Sequence, residues 1–207
     1  SDKFLLRLEL FLSRSLGKGM RENLESEVRA CIKLLKDKPL VFLDVGANKG
    51  NYTSQVLAYY KDLESYLFEP SSFNIDCLTK KFSDKRNITI VPSALSNYSG
   101  TGKLYSENPG SGTASMTKRD LSFLQTEFSY EDKIKVTTLK KFWKENINHE
   151  YIDYMKIDVE GHEMDVLEGC GEMISNIKLI QFEFGGTHID TRVFFKDFWD
   201  YFTTNNF

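Results

Sequence analysis

Asp158, Glu160, His162 and Glu163 crowd into six positions of "MKIDVEGHEMDVLEG" (155–169), at the end of an apolar run. Placing several polar groups there is costly if they are buried without partners, so the cluster is expected to serve a ligand or to cap the following helix. His162 is the natural general base. An unperturbed imidazole titrates near neutrality, and a base must sit within hydrogen-bond reach of the proton it removes. Glu160, Asp158, Glu183 and His188 lie near expected strand ends and compete for that role. If 158–160 stays extended, Asp158 and Glu160 share one side. Asp158, Glu160 and Glu183 offer oxygen ligands to a divalent cation as an alternative, although no metal is expected.

A second constellation lies in "FLDVGANKGNYTSQVL" (42–57), where a strand passes through a turn into a helix. In open α/β sheets, ligands sit beyond the carboxyl ends of the strands. Asp44, Gly46, Ala47, Asn48 and Gly50 occupy such an end, and the next helix starts with unpaired N–H groups. A nicotinamide dinucleotide would require G-x-G-x-x-G, but Asn48 and Asn51 fill the later glycine positions. Asp44 would also repel a pyrophosphate. A ligand carrying an ammonium and a sulfonium, such as S-adenosyl-L-methionine (SAM), suits an acidic strand end better. About 20 residues on, "LFEP" (67–70) ends a strand in Glu69, which can accept from both hydroxyls of a ribose. Pro70 holds Glu69 in extended geometry.

These residues need a scaffold. Apolar runs at 40–45, 65–68, 88–95, 151–159 and 178–184 read as strands. Helical spacing is expected over 51–61, 71–82, 138–147, 162–175 and 191–203. The alternation predicts an α/β fold with a mostly parallel, Rossmann-like sheet and helices on both faces. Two short strands, at 102–107 and 133–139, flank a Pro/Gly/Ser-rich stretch long enough to act as a lid. Residues 1–38 read as an N-terminal helical extension, with one helix over 3–16 and a second from Met20 to Leu35. The α/β domain then occupies 39–207.

The bulk properties narrow the function. Net charge is −3 and the pI about 5.7, so no basic field suggests nucleic acid. Lys80, Lys81, Lys85 and Arg86 read as a solvated helix end. Three scattered cysteines suggest neither disulfides nor a zinc site. With no membrane span and no signal peptide in view, the expected location is cytoplasmic.

Together, "FLDVGANKGNYT", "LFEPS", "SALSNYSG" and "YMKIDVEGHEMDVLEG" resemble the FkbM-type methyltransferases, a branch of the class I SAM-dependent enzymes. "VTTLKKF" is similar to that family's V-x-T-L-D element. The resemblance spans about 40–185 and implies SAM as cofactor. Asp44, Gly46, Asn48 and Gly50 would shape its pocket, with Ala47 and Pro70 beside them. Glu69 would hold the ribose, Ser93 and Ala94 would lie near the adenine, and Asp158 would face the methionine end or the substrate. Lys49 and Lys140 depart from the family pattern. The sequence stops at Phe207 where the family usually continues into a C-terminal hairpin, so either that hairpin is absent or the chain is a fragment of something longer; a truncated sheet would leave an edge open to a second copy. The resemblance implies O-methylation of a hydroxyl on a saccharide or secondary metabolite. A non-catalytic SAM-binding scaffold and, less readily, a nucleic-acid methyltransferase remain as alternatives.

Overall fold

The computed structural model describes residues 24–119 and 127–207. The helix expected over 3–16 and the start of the second lie outside these residues. The remainder of the second is α1 (Leu24–Leu34), whose Val28 and Cys31 are buried.

Five strands form the main sheet: β1 (Val41–Val45), β2 (Glu64–Phe68), β3 (Ile88–Val91), β7 (Tyr154–Ile157) and β8 (Ile180–Phe182). Their order is β3-β2-β1-β7-β8, and every pairing is parallel. β1 is buried along its whole length, which explains its unbroken apolar run apart from Asp44. Alternation sends Val41, Leu43 and Val45 to one face, with Met155 and Ile157. There they meet α4 (Leu139–Asn146), α5 (Glu163–Glu168) and α7 (Phe195–Thr204) through Trp143, Val166 and Phe198. Phe42 and Tyr154 face α1, α2 (Asn51–Tyr59) and α3 (Ser72–Lys81), packing with Val28, Tyr52, Val56 and Leu78. Asp44 and Lys156, register partners across β1 and β7, share this second face by the same parity.

Several expected elements are shorter or divided. The run 88–95 splits at Pro92, which has no amide to continue a ladder. β4 (Ala94–Leu95) then leaves for a separate sheet, ordered β4-β6-β5, with β5 (Gly100–Ser106) antiparallel to β6 (Tyr130–Thr137). The helix expected over 162–175 becomes α5 and a 3-10 helix (Gly171–Asn176), divided where Gly171 takes a left-handed φ of +53°. The helix expected over 191–203 starts later, as α7, and a separate short helix, α6 (Thr187–Thr191), precedes it. Among the described residues, no helix is long and apolar enough to cross a membrane.

Candidate functional site

The carboxyl ends of β1, β2 and β7 border a cavity of about 450 Å³, within the range of small-molecule sites. Gly46, Ala47, Asn48, Glu69, Pro70, Ala94, Asp158, Glu160 and His162 all line it. Asp44, Gly50 and Ser93 do not.

Glu69 is 5% exposed. Its Oε2 accepts from the Asn48 amide and its Oε1 from the Ser71 amide, both at 2.8 Å. Burial pushes its pKa up, while those amides and the Asn74 side chain pull it back. With two amides and the Asn74 side chain on it, the carboxylate still has acceptor capacity to spare. Asn48 takes a left-handed φ of +50°, which asparagine tolerates. The buried Oδ1 atoms of Asn48 and Asn74, both cavity-lining residues, accept from no protein group. Beside Glu69 they form a cluster of acceptors with spare capacity, which the hydroxyl donors of a ribose or another polyhydroxyl group match.

Gly46 has a backbone reason to be glycine. A Cβ there would stand 1.9 Å from the Asp158 carbonyl oxygen, and its φ is +82°. The amides of Gly46 and Ala47 both donate to the Phe68 carbonyl at 3.0 Å. The turn is therefore wedged between the ends of β2 and β7. Gly50 is crowded from outside the cavity, since a Cβ would meet the Phe82 ring at 2.5 Å. Ser93 is buried, and its Oγ donates to the Ala94 carbonyl at 3.1 Å.

Asp44 is completely buried, and its Oδ2 accepts from Thr53 Oγ1 at 2.6 Å. Burial pushes its pKa up, against the pull of Lys156 and Thr53. Lys156 lines the cavity at only 8% exposure. Its Nζ lies 2.9 Å from Asp158 Oδ2, 3.8 Å from Asp44 Oδ1 and 5.1 Å from the Tyr52 ring centre. Burial alone would lower its pKa, but Asp44, Asp158 and, more weakly, Glu183 more than reverse that and raise it.

β7 ends at Ile157, so Asp158 and Glu160 do not continue an extended strand. Glu160 has φ +54°, and Gly161 follows at +101°. Burial, then the charges of Asp158 and Glu183, push the Glu160 carboxyl up to about 7, with Arg119 opposing. Glu183, from the adjoining strand end, is pushed up to about 7 by burial and by Asp158. Glu163 instead holds the turn together. It is 1% exposed and accepts from the amides of Val159 and Gly161 at 2.9 and 3.0 Å. His188 lies 2.8 Å from Glu163, buried and away from the cavity lining.

His162 Nδ1 lies 2.7 Å from Asp165 Oδ2, and its Nε2 lies 3.0 Å from Thr117 Oγ1. A proton on Nδ1 facing the carboxylate leaves Nε2 as the acceptor, so the Thr117 hydroxyl donates to it. The stretch expected as a lid supplies Ser111, Gly112, Ala114 and Met116 to the lining. Ser115 Oγ donates to the Glu160 carbonyl at 2.9 Å, and Arg119 lies 3.8 Å from the Glu160 carboxylate. Among the described residues, no three His, Cys, Asp or Glu side chains are arranged to hold a metal ion.

Comparison with known families decides the class. The family model described as a methyltransferase FkbM domain matches residues 44–207. The chain belongs to the FkbM methyltransferases. It is accordingly a SAM-dependent methyltransferase in class. No curated protein matches it significantly. Among solved structures, it is similar to a precorrin-6y C5,15-methyltransferase from Geobacter metallireducens GS-15, at 8% identity and a TM-score of 0.45. That match covers 87% of this chain and 70% of the other. The cavity of this FkbM domain fits the donor: buried unpaired acceptors beside Glu69 suit its ribose, and acids and a lysine lie across β1. Lys156, Tyr52 and Asn74 line the cavity, but the motifs do not point to them as ligands. A lone lysine inside the apolar run "YMKI" is the signal that could have revealed Lys156.

Proposed function

We propose that the chain methylates a hydroxyl on a saccharide or secondary metabolite. The observation supporting this reading is the His162 imidazole at the cavity, held 2.7 Å from Asp165 and with its Nε2 3.0 Å from a hydroxyl, that of Thr117. An acceptor hydroxyl taking that place would meet a base within hydrogen-bond reach.

Glu69 would hold the donor's ribose, with Asn48 and Asn74 beside it and Ala94 near the adenine. When bound, SAM supplies an electrophilic methyl group on a sulfonium. The residues of the chain then act by position. The 46–48 turn and Pro70 shape the donor's side of the cavity. The loop residues Ala114 and Met116 cover it and limit water, and His162 Nε2 takes the acceptor's proton. Holding the reacting atoms in line supplies much of the acceleration. The partner is a small-molecule or saccharide acceptor rather than nucleic acid, in keeping with the acidic net charge.

The test is transfer from labelled SAM to parallel sets of hydroxyl, amine and RNA acceptors. Label on a hydroxyl compound, lost in His162→Ala, supports the reading. Label on amines or RNA alone would reject it.

A further inference from the structure

We propose that Lys156 anchors the carboxylate of the methyl donor's amino-acid portion, while Asp158 accepts from its ammonium. This inference rests on the methyltransferase reading above.

Among the described residues, Lys49 and Lys156 are the lysines that line the cavity. Lys49 is exposed, with its Nζ 5.9 Å from the Phe73 ring centre. Lys156 is buried. A buried ammonium has three N–H groups to place, and its hydration is gone. One reaches Asp158 at 2.9 Å. Asp44 Oδ1, at 3.8 Å, is too far for a hydrogen bond and is itself buried without a partner. The Tyr52 ring face lies along another side of Nζ, and its hydroxyl is fixed by contacts to Tyr154 and Gln181. Nζ therefore retains donor capacity at a wall of the cavity.

Asp158 provides the opposite charge next to it. Its side chain meets the Glu183 carboxyl as well as Lys156, and at 34% exposure it keeps an open side toward a ligand. An ammonium and a carboxylate 2.9 Å apart are complementary to a ligand carrying the same two charges in reverse order. An α-amino acid group does so. A lone carboxylate would meet Asp158, and a lone ammonium would meet Lys156, so the zwitterion is the better match.

Position agrees with charge. Glu69 follows β2 and Lys156 lies in β7, with β1 between them. Two strand spacings separate them by about 10 Å. That span suits a ligand with a ribose at one end and a carboxylate at the other.

The experiment pairs a substitution with a truncated ligand. Calorimetry would measure S-adenosylhomocysteine and 5′-methylthioadenosine, which lacks the amino-acid portion, on the wild-type chain and on Lys156→Met. The expected result is a loss of about 10- to 150-fold in homocysteine-ligand affinity, one charge-assisted bond, with the truncated ligand unchanged. If Lys156→Met does not fold, the double variant Asp44→Asn with Lys156→Met removes one charge of each sign and gives the same comparison. Equal losses for both ligands, or no loss for either, would overturn the assignment of Lys156 alone. A wild-type chain that binds neither ligand would overturn the donor reading and this inference with it.

Discussion

Replacing Glu69 with alanine should act on both the fold and the site. In the folded chain its two oxygens each accept a backbone amide at 2.8 Å, from Asn48 and Ser71. Alanine leaves both amides without that acceptor. An unsatisfied buried group costs about 1–3 kcal/mol, so the pair costs about 2–6 kcal/mol where water cannot reach. Against a typical total stability of about 5–15 kcal/mol, that is a large share. The binding loss is separate. Two charge-assisted bonds to ribose are worth about 3–6 kcal/mol, or roughly 100- to 10,000-fold in affinity. Glu69→Gln separates the two effects, since its amide oxygen still accepts one backbone N–H while the charge is gone. Thermal unfolding and calorimetry with S-adenosylhomocysteine should show Glu69→Ala markedly less stable and weaker in binding, with Glu69→Gln intermediate in both. A folded Glu69→Ala that binds at wild-type affinity would refute the ribose assignment. An unchanged melting temperature would refute the structural one.

Three further outcomes follow from the geometry. His162→Ala should bind S-adenosylhomocysteine normally and transfer about 100- to 10,000-fold more slowly; full transfer activity would remove His162 as the base. Glu160 is raised from an ordinary 4.5 to about 7, so its proton stabilises the folded chain in acid and that contribution fades as pH rises between those values. Melting temperature against pH should therefore fall less steeply over that window in Glu160→Gln than in wild type, and superimposable profiles would contradict the burial of this carboxyl. Gly46→Ala must push the 46–48 turn off the Asp158 carbonyl, which a Cβ would approach to 1.9 Å. Both melting temperature and donor binding should drop, and wild-type values for both would show that the turn is looser than described.

Much of the site was legible because strand ends carry chemistry in this fold class. Glu69 after "LF" and the 46–48 turn after "FLDV" could be located from apolar runs and turn residues alone. Their contacts could not. Gly46 reads as room for a ligand, yet a Cβ there would meet first the backbone of Asp158, just past the end of β7 and more than 100 residues later. Asp44 reads as a ligand at the same strand end, but its parity points it beneath the cavity, toward Thr53 and Lys156. Only the pairing of β1 with β7 reveals that neighbour. Elements misjudged in length fail for local reasons. Pro92 interrupts a continuous apolar run, and Gly171 divides a continuous helical pattern. The His162–Asp165 pair was within reach of helical spacing, since the two are three residues apart. Thr117 was not, because it arrives from a loop with no periodicity.

The most direct measurement is calorimetric titration of the 207-residue chain with S-adenosylhomocysteine, using NAD as the control. If the cavity at the ends of β1, β2 and β7 is the methyl-donor site, S-adenosylhomocysteine binds one to one with micromolar affinity and NAD gives no heat. Binding of NAD, or no binding of S-adenosylhomocysteine to a folded chain, would contradict it.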